Sequence, residues 1–379
     1  MKKIANIILS LLILVGCQEK YELNVDFQLP THLDSPTAIQ LDVTSAEPVV
    51  LSWTGGGAAD GGIVLYEVLF DKEGGDFSNP LVSLKSDQGA LPRLTLTHAA
   101  LNTIARNAGI LPQETGKLIW TVRASKGGVL KESDIQSAIT VTRGEGIDNI
   151  PSQLFLYGSS TENNGQGGIP FRKVEDGLFQ IYTTISAGEI QFRSATSGEA
   201  FTYYIDETAK LREGNGSTTM GSYSEVVRLT VDFNTMKMTT DRIGRSVRCI
   251  WGATFENIAV LEYKGNGIFE GAGQIVFIDP ARPETNPPSW LGWTEERYYF
   301  IANVNGAEMC WGRHDSVSPE RPVGGEPLSF YALYEFNWSQ WDHLWKMKGS
   351  LDRTRATITI NTNADGLMIH TFTNVTPLN

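Results

Sequence analysis

Short runs in which apolar and polar residues alternate, each closed by Gly, Pro, Asn or Asp, recur from Ala38 almost to the C-terminus. A period of two turns one side of each run toward a core and the other toward water. A chain written this way folds as antiparallel sheets packed face to face. Ile39-Gln40-Leu41-Asp42-Val43 is one such run, and Val49-Val50-Leu51-Ser52-Trp53 is another, ended by Gly55-Gly56-Gly57. Further strands are predicted over 63–70, 117–124 and 135–141. One stretch has a different period: Ala100, Leu101, Ile104, Ala105 and Ala108 share a helical face, with Thr97 as N-cap and Gly109 as the stop. The region 38–143 therefore reads as an immunoglobulin-like sandwich with one short helix.

A turn-rich linker, Arg143-Gly144-Glu145-Gly146-Ile147-Asp148 and on to Ser152, follows. Beyond it lies a weak internal repeat with a period of about 95 residues. Leu156-Tyr157-Gly158-Ser159 answers Ile250-Trp251-Gly252-Ala253, and Gly177-Leu178-Phe179-Gln180 answers Gly267-Ile268-Phe269-Glu270. Tyr203-Tyr204-Ile205 is matched to Tyr298-Tyr299-Phe300. Both copies close on a hairpin, one turning at Asn234-Thr235 and one at Asp365-Gly366. Two small β-sandwich modules are expected, over 153–243 and 245–379, the second with an insertion between Ile278 and Trp345. The fold class is all-β.

The N-terminus carries an address. Lys2 and Lys3 precede an apolar run over 4–15, which ends in Leu14-Val15-Gly16-Cys17. This is the pattern of a lipoprotein signal peptide over 1–16, and the run is shorter than the roughly 20 apolar residues that span a bilayer. The mature chain is expected to begin at a lipidated Cys17, followed by a polar, proline-interrupted tether over 17–37. Removing 1–16 takes away two lysines and no acid, so the formal charge falls from −12 to −14. An acidic chain without a basic run argues against nucleic acid, and it leaves the lipid as the only expected contact with a membrane.

Taken together, these features resemble the SusE/SusF family, the surface lipoproteins of Bacteroidetes starch-utilisation systems. The N-terminal domain is similar to the SusE module through Val50-Leu51-Ser52-Trp53, Tyr66-Glu67-Val68, Phe70-Asp71 and Gly75-Asp76-Phe77-Ser78-Asn79-Pro80. Leu101-Asn102 in the helix and Leu118-Ile119-Trp120-Thr121-Val122-Arg123-Ala124 in a late strand continue the likeness. The resemblance implies an Ig-like spacer followed by two modules that bind glycan at the cell surface, without catalysis, beside an outer-membrane importer.

Six of the nine tryptophans lie between 290 and 345: Trp290, Trp293, Trp311, Trp338, Trp341 and Trp345. A sugar ring has an apolar C–H face and a rim of hydroxyls, so capturing it takes an aromatic platform with a few polar groups at its edge. Trp290 and Trp293 fall in a Pro/Ser/Gly segment that reads as a loop, where a large ring has no evident core to fill. Trp311 is followed by Arg313, His314 and Asp315; Arg313 and Asp315 can grip adjacent hydroxyls or simply pair with each other. Phe330, Tyr334, Trp338, Trp341 and Trp345 follow a helical stripe, which is ordinarily core; the alternative is a loop presenting Trp338 or Trp341. Trp53, Trp120 and Trp251 sit in alternating strands and read as core. The candidate glycan site is thus Trp290, Trp293, Trp311, Arg313, Asp315, Trp338 and Trp341. The middle module, with only Tyr182, Tyr203 and Tyr204 as a smaller platform, reads as a possible spacer.

No G-x-S-x-G or H-E-x-x-H occurs, the five histidines have no metal-site spacing, and no cofactor is expected. Asn361-Thr362-Asn363-Ala364-Asp365-Gly366 copies half an EF-hand loop but lacks its final acid, and reads as a hairpin turn. Cys249 and Cys310 are either a disulfide or two buried thiols. The expected function is non-enzymatic binding of a neutral polysaccharide, starch or another, at the outer-membrane surface. The rivals are an assembly lipoprotein of the import complex and, behind it, a glycoside hydrolase.

Overall fold

The structure is a computed structural model that describes residues 24–147 and 150–378. The signal peptide, Cys17 and the first part of the tether therefore lie outside the described residues. The chain forms two compact units, one up to Glu145 and one from Gly146. Strand dominates both, and the described residues contain a single α-helix.

In the first unit a three-stranded sheet (Gln28–Asp34, Val49–Gly57, Arg93–Leu96) packs on a six-stranded one. The long strand Thr115–Lys126 is central to the second sheet, paired with Leu65–Lys72 on one side and Ser137–Thr142 on the other. Its alternation sends Leu118, Trp120, Val122 and Ala124 into a core shared with Leu51, Trp53, Val68 and Phe70. The helix α1 (His98–Asn107) forms where its period was read, with the Thr97 hydroxyl accepting from the Ala100 N–H at 3.1 Å and Gly109 at φ +86°. Part of the expected tether is a strand instead. Gln28–Asp34 pairs with Val49–Gly57, and its proline is accommodated at a bulge between Pro30 and His32. Gly55, expected as a turn, is paired within that ladder; a Cβ there would meet the Thr31 hydroxyl.

The second unit holds two sandwiches built to one plan. In the middle one, Leu178–Thr183 and Val226–Asp232 face Phe155–Tyr157, Gly188–Arg193 and Thr202–Ile205. In the last one, Ile268–Ile275 and Thr354–Ala364 face the end of Lys237–Trp251, Arg297–Val304 and Ala307–Gly312. Lys237–Trp251 serves both: its first half pairs with Val226–Asp232, and its second half with Asn257–Gly265 and Arg297–Val304, with an irregularity between Ile243 and Val247. The turn at Asp365-Gly366 has both residues at positive φ, +49° and +78°, as a two-residue hairpin requires.

One anchor of the internal repeat shifts. Leu156 pairs with Phe192, and Ile250 pairs with Tyr299. The counterpart of Tyr298-Tyr299-Phe300 is therefore Gly188–Arg193, and Tyr203-Tyr204-Ile205 corresponds to Ala307–Gly312. Aromatic residues alternate in several of these strands, so local likeness could not say which strand answers which.

The middle sheet turns two faces to protein. Phe179, Ile181, Val227, Leu229 and Val231 fill its own core, while Tyr182 and Val226 point the other way into the core of the last module. Further clasps join the modules. The Glu162 carboxylate accepts from the Tyr263 hydroxyl at 2.9 Å and the Asn266 N–H at 2.7 Å, and Asn305 donates to Asp241 at 2.8 Å.

Candidate functional site

The insertion of the last module begins where Phe277-Ile278 leaves the sheet and ends where Glu295 bridges back to Ile278. Its loop is tied to itself. Asp279 accepts from the Ala281 N–H and from the Thr294 hydroxyl, and Arg282 reaches Asp352 at 3.0 Å and the Phe277 carbonyl at 2.8 Å. Leu291 is the apolar plug that seats the loop in the core. Trp290 and Trp293, flanking that plug, are left 51% and 47% exposed.

Trp341 joins them from another segment. After Tyr334–Asn337 the chain leaves the sheet through Trp338-Ser339-Gln340-Trp341-Asp342-His343, with Ser339 donating to Asp342 at 2.7 Å and His343 at φ +62°. The helical stripe read from the sequence is therefore a 3-10 turn, a short strand and a loop. Asn, Ser and Asp offer the backbone local partners that compete with a helix. Of the stripe, Trp345 is fully buried, stacked on Tyr298 and donating to the Phe330 carbonyl, whereas Trp338 and Trp341 are exposed.

Three rings meet at one corner. Trp290 lies 6.1 Å from Trp293, tilted 57°, and 5.8 Å from Trp341 at 88°. The Arg297 guanidinium sits 5.5 Å from the Trp293 ring and 4.9 Å from that of Trp341, bracing both by cation–π contact. Arg297 is itself held in a fork by Glu295, whose fully buried carboxylate also accepts from the Trp293 indole N–H at 2.9 Å. The hydrogen bonds that the guanidinium donates to Glu295 hold it above its usual pKa. The rings are thus fixed before any ligand arrives, which reduces the ordering cost of binding.

Beside this corner opens a cleft of about 600 Å³, lined by Trp293 and Trp341 and rimmed by Thr294, Ser316, Ser318, Asp342 and Lys346. Glu296, Arg297 and Val317 complete it, and Glu296 pairs with Arg321 at 3.0 Å. An apolar wall with hydroxyl, carboxylate and ammonium groups around it suits a polyhydroxylated ring.

The structure brings together Trp290, Trp293 and Trp341 from the expected set, and separates the rest. Trp311 presents no face: it is 1% exposed, edge-on to Tyr182 and Phe269, because its strand alternation turns it inward. Arg313 and Asp315 form an ion pair at 2.6 Å and do not line the cleft. Trp338 is exposed but packs on Phe255 instead, 5.7 Å away. Glu296, Arg297, Asp342 and Lys346 of the cleft, and the buried Glu295 behind it, lie outside the set expected from the sequence. The sequence signal for three of these charged groups is the run Glu295-Glu296-Arg297, two residues after Trp293. In the middle module Tyr182 and Tyr203 are buried and offer no platform.

Cys249 and Cys310 are free and buried, in clusters on opposite faces of one sheet. Burial pushes the Cys310 thiol up to about 12, so it is inert at neutral pH. His370 donates from Nδ1 to the Tyr331 carbonyl and accepts from the Tyr298 hydroxyl at 2.7 Å; burial pulls its pKa down to about 3. No group of His, Cys, Asp and Glu among the described residues is arranged to hold a metal ion.

Residues 18–123 match the family described as SusE outer membrane protein. That stretch takes in the motifs from Val50 to Arg123 that carry the resemblance. The crystal structure of SusF from Bacteroides thetaiotaomicron is similar at 11% identity and a TM-score of 0.25, over 93% of this chain and 76% of that one. A likeness that loose carries no argument about the site. No curated protein matches the chain.

Proposed function

We propose that this chain is a non-catalytic polysaccharide-binding lipoprotein, anchored through Cys17 at the outer-membrane surface, that holds a neutral glycan close to an importer. The observation that carries the reading is the corner of Trp290, Trp293 and Trp341, exposed on two loops that Arg297, held by Glu295, ties together. Three large exposed rings in contact are an energetic liability in water unless something covers them. The mutual tilt of the rings favours a curved chain or a chain end over a flat ribbon, so starch and maltooligosaccharides are the first candidates. A single such corner binds weakly. Confinement at a membrane raises its effective concentration, so weak contacts still retain a polymer.

The test is titration of the full chain with α- and β-glucans, mannans and fructans while following indole fluorescence, beside the triple variant W290A/W293A/W341A. Saturable quenching by a glycan in the parent and none in the variant supports the reading. A flat response to the whole panel, together with tight co-purification with an importer, would give the exposed rings to a protein partner instead. Reducing sugar released by the purified protein would make it a hydrolase.

A further inference from the structure

A second site lies on the face that the middle sheet turns toward the last module. Period-two alternation lines up Arg172 opposite Gln180, Gln180 opposite Thr230, and Tyr182 opposite Arg228, which is in turn opposite Asp241. The face is polar in its own right, yet the last module covers it with Ala332-Leu333-Tyr334-Glu335 and Gly366-Leu367-Met368. What remains between them is a pocket of about 290 Å³, at the small end of the range that takes single ligands and of a size for one sugar ring.

The two guanidinium groups in it are treated differently. Arg228 is fully matched: Asp241 takes two of its N–H groups, at 2.9 and 2.7 Å, and Glu335 another at 2.8 Å. Glu335 is held in turn by the Trp311 indole N–H at 3.2 Å. Arg172 has no carboxylate partner among the described residues. Its Nη2 donates to the neutral Gln180 amide oxygen at 2.6 Å, and its Nε is buried with no partner. Burial, and secondarily the neighbouring Arg228, pull its pKa below the ordinary arginine value. Arg172 is only partly buried, but its Nε is sealed from water without a partner and no opposite charge among the described residues faces it, so pairing it with a carboxylate lowers the energy.

We propose that this pocket binds a carboxylate carried on a ring of monosaccharide size, an acidic sugar such as a uronate, with the carboxylate at Arg172. The ring would lie against Leu333, Leu367 and Met368, and the Tyr182 hydroxyl, which accepts from Arg228 at 3.5 Å, can still donate to its oxygens. The site is separate from the tryptophan corner, and its existence does not depend on what binds there.

The experiment is calorimetric titration of the full chain with glucuronate, glucose and sulfate, on the parent, R172Q, V174W and W290A/W293A/W341A. Val174 is half-exposed at the pocket mouth, so a tryptophan there plugs the opening without entering a core. Glucuronate is expected to bind saturably while glucose and sulfate do not. R172Q should weaken it by roughly 10- to 100-fold, the range for a lost hydrogen bond to a charged group. V174W should weaken it too, and the triple tryptophan variant should leave it unchanged. Glucuronate should raise the melting temperature of the parent and not that of R172Q, which also reports whether the variant is folded. Three results would overturn the proposal: no saturable glucuronate binding, equal binding of sulfate, or loss of binding in the triple variant with R172Q and V174W unaffected.

Discussion

The middle and last modules have the same strand order and almost nothing else in common at their edges. Between Leu178–Thr183 and Gly188–Arg193 the middle module spends four residues, 184–187; the last module spends 276–296 on the corresponding connection. Between Leu211–Glu213 and Thr218–Met220 the middle module makes a short turn past Gly214 and Gly216, whereas its counterpart runs 338–344 and carries Trp338 and Trp341. The framework is duplicated and the aromatic corner is not, because the corner hangs on loops that the sheets merely anchor. Fold and binding are separable here, as is usual when function sits on connections.

The sharpest way to break the comparison is to make the last module resemble the middle one. Replacing 279–294 by a short turn should abolish glycan binding while the sandwich still folds, with a loss of about 1.5–3 kcal/mol from the buried Leu291 side chain. Affinity electrophoresis and a urea melt on one preparation would check both halves. If binding persists, the insertion is not the site.

Next in size is the contrast between buried and exposed indoles of one stretch. W345A removes a ring stacked on Tyr298 and should cost about 3–5 kcal/mol in the unfolding free energy.

Acid should also separate the modules, because the middle one contains no histidine. His370 is neutral in the folded state, with its pKa lowered to about 3, so only the unfolded chain takes up its proton below the ordinary histidine range. Its contribution is fully present above that range and falls by about 1.4 kcal/mol per pH unit as pH drops toward 3. Urea midpoints between pH 7 and 4 should show this slope in the parent and lose it in H370N.

Smaller still, W341A should weaken glycan binding by roughly tenfold, about 1.4 kcal/mol, with stability nearly unchanged. W338A should leave affinity unchanged, since that ring packs on Phe255 away from the corner. Equal effects of the two on affinity would mean that the platform extends past the cleft.

Several features were legible before any coordinates. Thr97 and Gly109 bound the helix, Asp365-Gly366 turns the last hairpin, and Trp53, Trp120 and Trp251 are core. Each follows from local chemistry: a cap, a left-handed turn, a period of two. Trp290 and Trp293 read as loop residues for the same kind of reason. Trp341 stayed ambiguous because helical and irregular readings of 330–345 predict the same spacing. Trp311 turns inward because strand phase sets its direction, although its neighbours Arg313 and Asp315 suggest a rim.

Residue order alone settled the all-β architecture, the placement of turns and the concentration of indoles near the C-terminus, since these depend on neighbours a few positions apart. Three-dimensional packing decided which rings meet. The Trp290–Trp341 contact, the fork of Glu295 on Arg297, and the unmatched Arg172 beneath the last module all join segments far apart along the chain. Their energies come from burial and charge pairing, and these exist only once the sheets have closed on one another.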